Sequence, residues 1–353
     1  MDIVKVFADN LKKYRCRMGL SQEAFASKCG MHRTYISAIE CYRRSISLEN
    51  IQRIADALEI ETYQFFGGLS FMEYRDRAAG WKHAKLSGHK NEALVKIRLD
   101  TDADFAESFL KRIGRASARI VSTSIGGLHE TDVPGVNGRK TKSKTDLKVM
   151  LDTGETVNVS IKKSLAGQVY FVGARLFIET FEKQFKTQIP KEVCRAIALF
   201  WAAAEDAGAI VGSYGDRSCA KSFALQQKHK SLNASTLRAY DRQLCDALLQ
   251  WFSDHAYEIA KLSFSMGAAC SPGDWSEYVW YINLLEENDT DAIFPIEDLC
   301  SAAQRAAKRE TCYGTAYGGT TIQLPFGFVQ WHQAKMQFHH QYEKVKALAG
   351  RKA

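Results

Sequence analysis

Lys144 to Ser164 reads KTDLKVMLDTGETVNVSIKKS, and two alternating apolar runs flank its Asp152-Thr153-Gly154 turn. Val149 and Leu151 alternate on one side, and Val157, Val159 and Ile161 on the other. Period-two alternation around such a turn predicts a β-hairpin. With the turn centred on 152–155, positions whose numbers sum to about 307 lie opposite each other. Asp146 then faces the Ser160–Lys162 end of the second strand. Ser160 and Lys162 share a face, because side chains repeat every two residues along a strand. A carboxylate and an ammonium thus meet at one end of a hairpin. That pairing suits holding Mg²⁺ and polarising a phosphodiester.

Those residues resemble the motif of the PD-(D/E)xK nuclease superfamily, in its restriction-endonuclease branch. The family pattern is an Asp at a strand start and an acidic-x-Lys motif on the neighbouring strand. Asp146 matches the Asp, with Thr145 where Pro is usual, and Lys162 matches the Lys. Ser160 stands where an acid is usual. The resemblance implies a mixed sheet flanked by helices, with Asp146 and the Ile161 carbonyl as Mg²⁺ ligands and Asp146, Lys162 and Ser160 as catalytic residues. It also implies a second carboxylate brought from a helix. Glu107, on the first helix of that domain, is the first expectation, and Glu179 is the second. Ser160 then orients water or ligand rather than carrying charge, and Gln168, just after the motif, is expected to touch DNA. A palindromic site read by a homodimer and a cognate DNA methyltransferase are further implications of the resemblance.

The N-terminal residues carry a different signal. In the first helix Leu11, Tyr14 and Met18 recur at helical spacing. SQEAFASKCG (21–30) opens on Ser21 as an N-cap and closes on Gly30, a residue suited to the positive φ that ends a helix. MHRTYISAIE (31–40) follows, with Ile36 and Ile39 inward and Arg33, Thr34, Tyr35, Ser37 and Glu40 on or near the exposed face. SLENIQRIADALEI (47–60) is amphipathic, with Ile51, Ile54, Ala55 and Leu58 on its buried stripe. A short helix bearing Arg, Thr, Tyr and Ser can enter a major groove. Gln22 is positioned to meet a phosphate, and Arg43 and Arg44 to reach the backbone beside the groove. HRTYISAIE…RRSISLENIQRIADAL resembles the controller proteins of restriction–modification systems, which are helix-turn-helix domains of the Cro/repressor type. The sequence departs from them at Cys41, where Gly is common.

Composition is compatible with both readings. The chain has 353 residues, enough for two or three domains, and an apolar share of 46%, enough for a full core. A formal charge of +8 favours polyanionic partners. The densest apolar run, Ala196–Ala204, is far short of a membrane span, and no signal-peptide pattern is present. The nine cysteines are spread singly, which argues against zinc and disulfide frameworks and for reduced thiols in a cytoplasm.

The expected fold class is α/β (α+β), an all-α helix-turn-helix domain followed by a mixed-sheet nuclease domain flanked by helices. The expected domains are 1–68, a connector over 69–95 with one helix, and 96–353, the first boundary falling at Gly67-Gly68. Within the last, 103–114 reads as a helix, 118–126 as a strand and 127–144 as a loop. That loop ends in Arg139, Lys140, Lys142 and Lys144, each able to neutralise a backbone phosphate. Val169 and Phe171 suggest a strand, Phe177, Phe181 and Phe185 a helix, and 190–208 a buried Ala-rich helix. Further helices are expected near 235–265 and 293–309, and a strand or hairpin from Thr320 to Phe328. Gln330, His332 and Gln333 carry groups able to read bases, and His339-His340 reads as a solvated helix face. Two other functions fit the same residues: a transcription regulator whose nuclease-like domain has lost catalysis, and a repair or defence nuclease.

Overall fold

The computed structural model describes residues 3–18, 20–60, 62–66, 77–126, 132–285 and 290–350. The chain forms two compact units, Met1–His83 and Ala84–Ala353. The expected Gly67-Gly68 boundary lies outside the described residues.

The first unit holds helices α1 (Ile3–Arg17), α2 (Gln22–Lys28), α3 (Arg33–Glu40) and α4 (Leu48–Leu58). Ser21 Oγ accepts from Ala24 N at 3.1 Å, capping α2. Gly30, with φ of +62°, ends that helix as Met31 N reaches back to Ala26 O. Phe7, Leu11, Phe25, Ile36, Ile39, Ile54 and Phe65 make the core, and Ile51, Ala55 and Leu58 join it from α4. Met18, by contrast, is exposed past the end of α1. At the departure noted in the sequence, Cys41 keeps a negative φ and Tyr42 takes the left-handed conformation at +60°.

The second unit begins earlier than expected. Most of the expected connector is a helix, α5 (Arg77–Thr101), whose Val95 and Leu99 are buried in a core with α6 (Ala103–Arg112). Two five-stranded sheets follow. The first has the order β1 (Ile120–Ile125), β4 (Leu147–Leu151), β5 (Thr156–Lys162), β7 (Tyr278–Ile282), β8 (Asp291–Pro295), and it is mixed: β5 runs parallel to β7 and the other pairs are antiparallel. The second has the order β6 (Ala166–Val172), β12 (Lys335–Gln341), β11 (Gly327–His332), β10 (Thr321–Leu324), β9 (Cys312–Tyr313), and its pairs are antiparallel. A short ribbon pairs β2 (Asp132–Pro134) with β3 (Lys140–Lys142). The fold class therefore follows the expectation.

The centre of the first sheet, at β5 and β7, is buried on both faces. Val149, Val157, Val159 and Trp280 pack into the core shared with α5 and α6, where Trp280 stacks on Phe109 with ring centroids 5.1 Å apart. Val279 and Tyr281 point the other way, into a larger core. That core includes Phe177 and Phe181 of α7 (Ala174–Phe185) and Leu299 and Cys300 of the helix Ile296–Glu310. A strand buried on both sides reads as a continuous apolar run, as YVWYI does at 278–282. The expected helix over 190–208 is broken into Lys191–Phe200 and Ala207–Tyr214. The 235–265 stretch is three α-helices, Ala234–Tyr240, Arg242–Asp254 and Ala256–Lys261, followed by a π-helical turn over Leu262–Met266. His339 and His340 lie on β12 rather than on a helix, and His340 is buried.

Candidate active site and helix-turn-helix surface

The hairpin forms as its alternation predicts, one residue tighter in register. Leu147 pairs with Val159 and Val149 with Val157, and Asp146 N donates to Val159 O at 2.9 Å. The loop is Asp152–Gly154, with Gly154 at φ +81° and Leu151 N donating to Glu155 O. A three-residue hairpin loop needs a left-handed residue at that place, and Gly supplies it.

At the far end of the hairpin four groups converge. Ile161 N donates to Asp146 Oδ2 at 2.7 Å, and Ser160 Oγ donates to the same oxygen at 3.0 Å. Lys162 Nζ donates to Ser160 Oγ at 2.7 Å, lies 3.3 Å from Ile161 O and stands 3.6 Å from Asp146 Oδ2. The sequence motif is thus a physical cluster. Thr145 Oγ1, in the place of the usual Pro, reaches Asp274 O and Ser276 Oγ. Those bonds tie the start of β4 to the segment that leads into β7. Gly126 N donates to Asp146 O, and a Cβ at Gly126 would fall 2.2 Å from Thr145 O, so only glycine permits this approach.

A second carboxylate, Glu92 on α5, lies within electrostatic reach of Asp146 and Lys162. Glu92 is held above the ordinary glutamate range, first by burial and then by the negative charge of Asp146. His89, whose Nδ1 is 3.0 Å from Glu92 Oε2, and Lys162 pull in the other direction. Its neighbour Asn91 fixes the helix here: Asn91 Nδ2 donates to Ile282 O at 2.9 Å and Leu284 N donates to Asn91 Oδ1 at 2.7 Å. Lys162 pairs in register with Tyr281, so Asn91 anchors α5 at the same end of the sheet. Glu92 lies on the helical stripe of Val95 and Leu99, a carboxylate where an apolar residue is expected. A carboxylate on an otherwise apolar stripe is the mark in the sequence that singles out Glu92. Glu107 is instead exposed on α6, and Glu179 accepts from Arg175 Nε at 3.0 Å on the surface of α7.

Of the basic residues before Asp146, Arg139, Lys140 and Lys142 are exposed on and beside β3. The ribbon is tethered: Val136 N donates to Ala268 O and Cys270 N to Pro134 O, both at 3.0 Å. Lys144 departs from the expected row. Its Nζ turns inward, donating to Val169 O at 2.5 Å and lying 4.6 Å over the Tyr170 ring. Burial pushes its ammonium down to about 7, with the charge of Lys162 adding to the effect. Gln168 is exposed on β6, where its Oε1 accepts from Gln337 Nε2 at 2.9 Å.

In the first unit Arg33 and Thr34 are exposed at the start of α3, and Ser37 is half-buried one turn on. Tyr35 accepts from Asn50 Nδ2 at 3.0 Å, and the Arg44 guanidinium lies 4.9 Å over its ring. Arg43 and Arg44 are exposed in the following loop. Glu40 is not on this surface: it is buried and takes a two-pronged ion pair from Arg15, at 2.7 and 3.0 Å. Gln22 Nε2 donates to Glu40 Oε2 at 2.7 Å, which leaves its second N–H for a phosphate oxygen.

A helix-turn-helix family model matches residues 11–65. A hypothetical transcription factor of Neisseria meningitidis serogroup B is 44% identical over 63 residues, 18% of this chain and 59% of its own length. Control protein C.SmaI of Serratia marcescens is 41% identical over 58 residues, 16% of this chain and 69% of its own length. This chain thus spans well under two thirds of the Neisseria protein. Among solved structures, restriction endonuclease MspI in complex with its cognate DNA aligns over 73% of this chain and 87% of its own, at 13% identity and a TM-score of 0.36. All nine cysteines are free, and among the described residues no helix is long and apolar enough to cross a membrane.

Proposed function

The chain belongs, through its first unit, to the control-protein family of helix-turn-helix proteins, and on that premise we propose that it is a Mg²⁺-dependent, sequence-specific endonuclease of double-stranded DNA with a controller-type DNA-binding domain at its N-terminal side. The observation that carries the nuclease reading is the Asp146–Ser160–Lys162 cluster, with Glu92 beside it. Two carboxylates and the Ile161 carbonyl are hard oxygen donors, the set that Mg²⁺ takes alongside water and substrate phosphate. That the charge of Asp146, after burial, makes Glu92 harder to ionise supports the fit, since close like charges favour a divalent cation between them. When bound, the ion would supply Lewis acidity and a nucleophilic water.

The side chains divide the remaining tasks. Asp146 and Glu92 hold the cation site. Ser160, fixed between Asp146 and Lys162, orients both. Lys162 offers a fixed positive charge to the oxygen on which charge develops as the phosphodiester breaks, a preorganised interaction that strengthens towards the transition state. His89 orients Glu92. Arg139, Lys140 and Lys142, on a tethered ribbon four to seven residues before Asp146, neutralise phosphates and align the duplex.

In the first unit Arg33, Thr34, Tyr35 and Ser37 meet base edges, and Gln22, Arg43 and Arg44 meet the backbone. This domain regulates transcription or adds a DNA contact to cleavage. Assembly as a homodimer on a palindromic site and a cognate methyltransferase complete the proposal of a type II restriction enzyme. Incubation of the whole protein with unmethylated phage DNA tests it. Discrete fragments that require Mg²⁺ support a restriction enzyme. Intact DNA in the presence of tight binding supports a regulator instead.

A further inference from the structure

One face of the second sheet carries an unusual set of groups. In ladder register Phe328, His339 and Gln168 form one row across β11, β12 and β6, and Gln330, Gln337 and Phe171 form the next. The rows are knitted together. Gln330 Nε2 donates to Gln337 Oε1 and Gln337 Nε2 to Gln168 Oε1, each at 2.9 Å. Gln330 Nε2 also lies 3.3 Å from His339 Nε2, and the Phe328 ring stacks on His339 at 4.6 Å with planes 9° apart. The alternate residues Val329, Met336 and Phe338 fill the core behind. A carboxamide has two donors and can accept twice, so each of these glutamines keeps capacity for an outside partner. The linked chain holds them ready at no further ordering cost.

We propose that this face reads base edges in the major groove of the duplex that the Asp146–Lys162 site cleaves, with Gln330 and Gln337 as specificity-determining residues; the proposal rests on the nuclease reading for its target. The chemistry selects bases over phosphates. Carboxamides bond bidentately to adenine N6 and N7, whereas phosphate recognition wants cations. Lys335, at the margin, is held 4.9 Å over Phe171. The size agrees too: three adjacent strands span about 10 Å, against a major groove roughly 12 Å wide. The face is continuous with the candidate site. Lys162 ends β5, and Ala166 already begins β6. His340, next to His339 on β12, is 3.0 Å from the hydroxyl of Tyr281, the ladder partner of Lys162.

The test selects duplexes from a random-sequence pool with full-length Asp146→Ala protein, alone and combined with Gln330→Ala, Gln337→Ala or the exposed Gln168→Ala. The expected result is an enriched motif in which one or more positions become random in a glutamine variant. Affinity for the parent site should fall roughly 10- to 100-fold, and affinity for unrelated duplex should hold within about 2-fold. An unchanged motif in all three variants overturns the proposal. So does an equal loss on every sequence, or a selection whose only motif is the one abolished by Arg33→Ala. Because binding is read without cleavage, an inactive wild-type protein sinks the nuclease reading and leaves this selection decisive for the face.

Discussion

Ser160 Oγ donates to Asp146 Oδ2 at 3.0 Å and accepts from Lys162 Nζ at 2.7 Å. A carboxylate at position 160 would put a second negative charge against Asp146 inside the sheet. The hydroxyl instead links Asp146 to Lys162, and in the proposed mechanism the second charge comes from Glu92 on a separate helix. Ser160→Ala removes a hydrogen bond from each of two ionised groups, at about 1.5–3 kcal/mol apiece. Cleavage should slow about 10-fold or more, yet less than on loss of Asp146. An unaltered single-turnover rate would show that the serine has no orienting part.

The charge that Ser160 lacks should be found at Glu92. Glu92→Gln is expected to lower cleavage at least ~100-fold and raise the Mg²⁺ concentration needed for half-maximal rate. Glu107→Gln and Glu179→Gln should cut at the wild-type rate. The reverse pattern in a Mg²⁺ titration would move the acid elsewhere.

Glu92 also gives a pH signature. Its carboxyl titrates above its ordinary 4.5 in the folded protein, so its contribution to stability is present below 4.5 and lost as pH rises through the folded value. Glu92→Gln cannot ionise. In chelator, it should melt higher than wild type near neutral pH and level with it below 4.5. Thermal melts at the two pH values check this, and a difference independent of pH would contradict it.

In the first unit, Glu40 and Arg33 should separate structure from recognition. Glu40→Ala strands the buried Arg15 guanidinium and should cost about 3–5 kcal/mol of that unit's stability in denaturant titrations. Arg33→Ala should leave stability unchanged and weaken operator-type DNA binding by about 1–3 kcal/mol. Equal stability of the two variants would refute the division.

Where local pattern and tertiary setting agreed, the sequence was readable. The hairpin followed from strict alternation and a glycine turn, and α2 from Ser21 and Gly30 at its ends. The Asp146–Lys162 meeting came with the hairpin. Other elements lacked a local mark. The β11–β12 turn is Gln333-Ala334, both at positive φ, without the Asn-Gly that usually announces such a turn. Without that mark, His339-His340 carries no local sign of the strand it occupies. Strand β7 lacks alternation because both of its faces are buried. Glu92 sat in a helix of weak periodicity, and its place beside Asp146 depends on a contact between Asn91 and the chain after Ile282. The inward turn of Lys144 likewise depends on Val169 and Tyr170, which its own neighbours in sequence do not reveal.

The central claim is that Asp146 and Lys162 are the two halves of one catalytic cluster. The most direct measurement compares wild-type, Asp146→Ala and Lys162→Ala full-length proteins on unmethylated duplex DNA with Mg²⁺, with circular dichroism to verify the fold. The account predicts discrete fragments from wild type and a loss of at least ~100-fold in each folded variant. Fragments produced at the wild-type rate by either variant would contradict it.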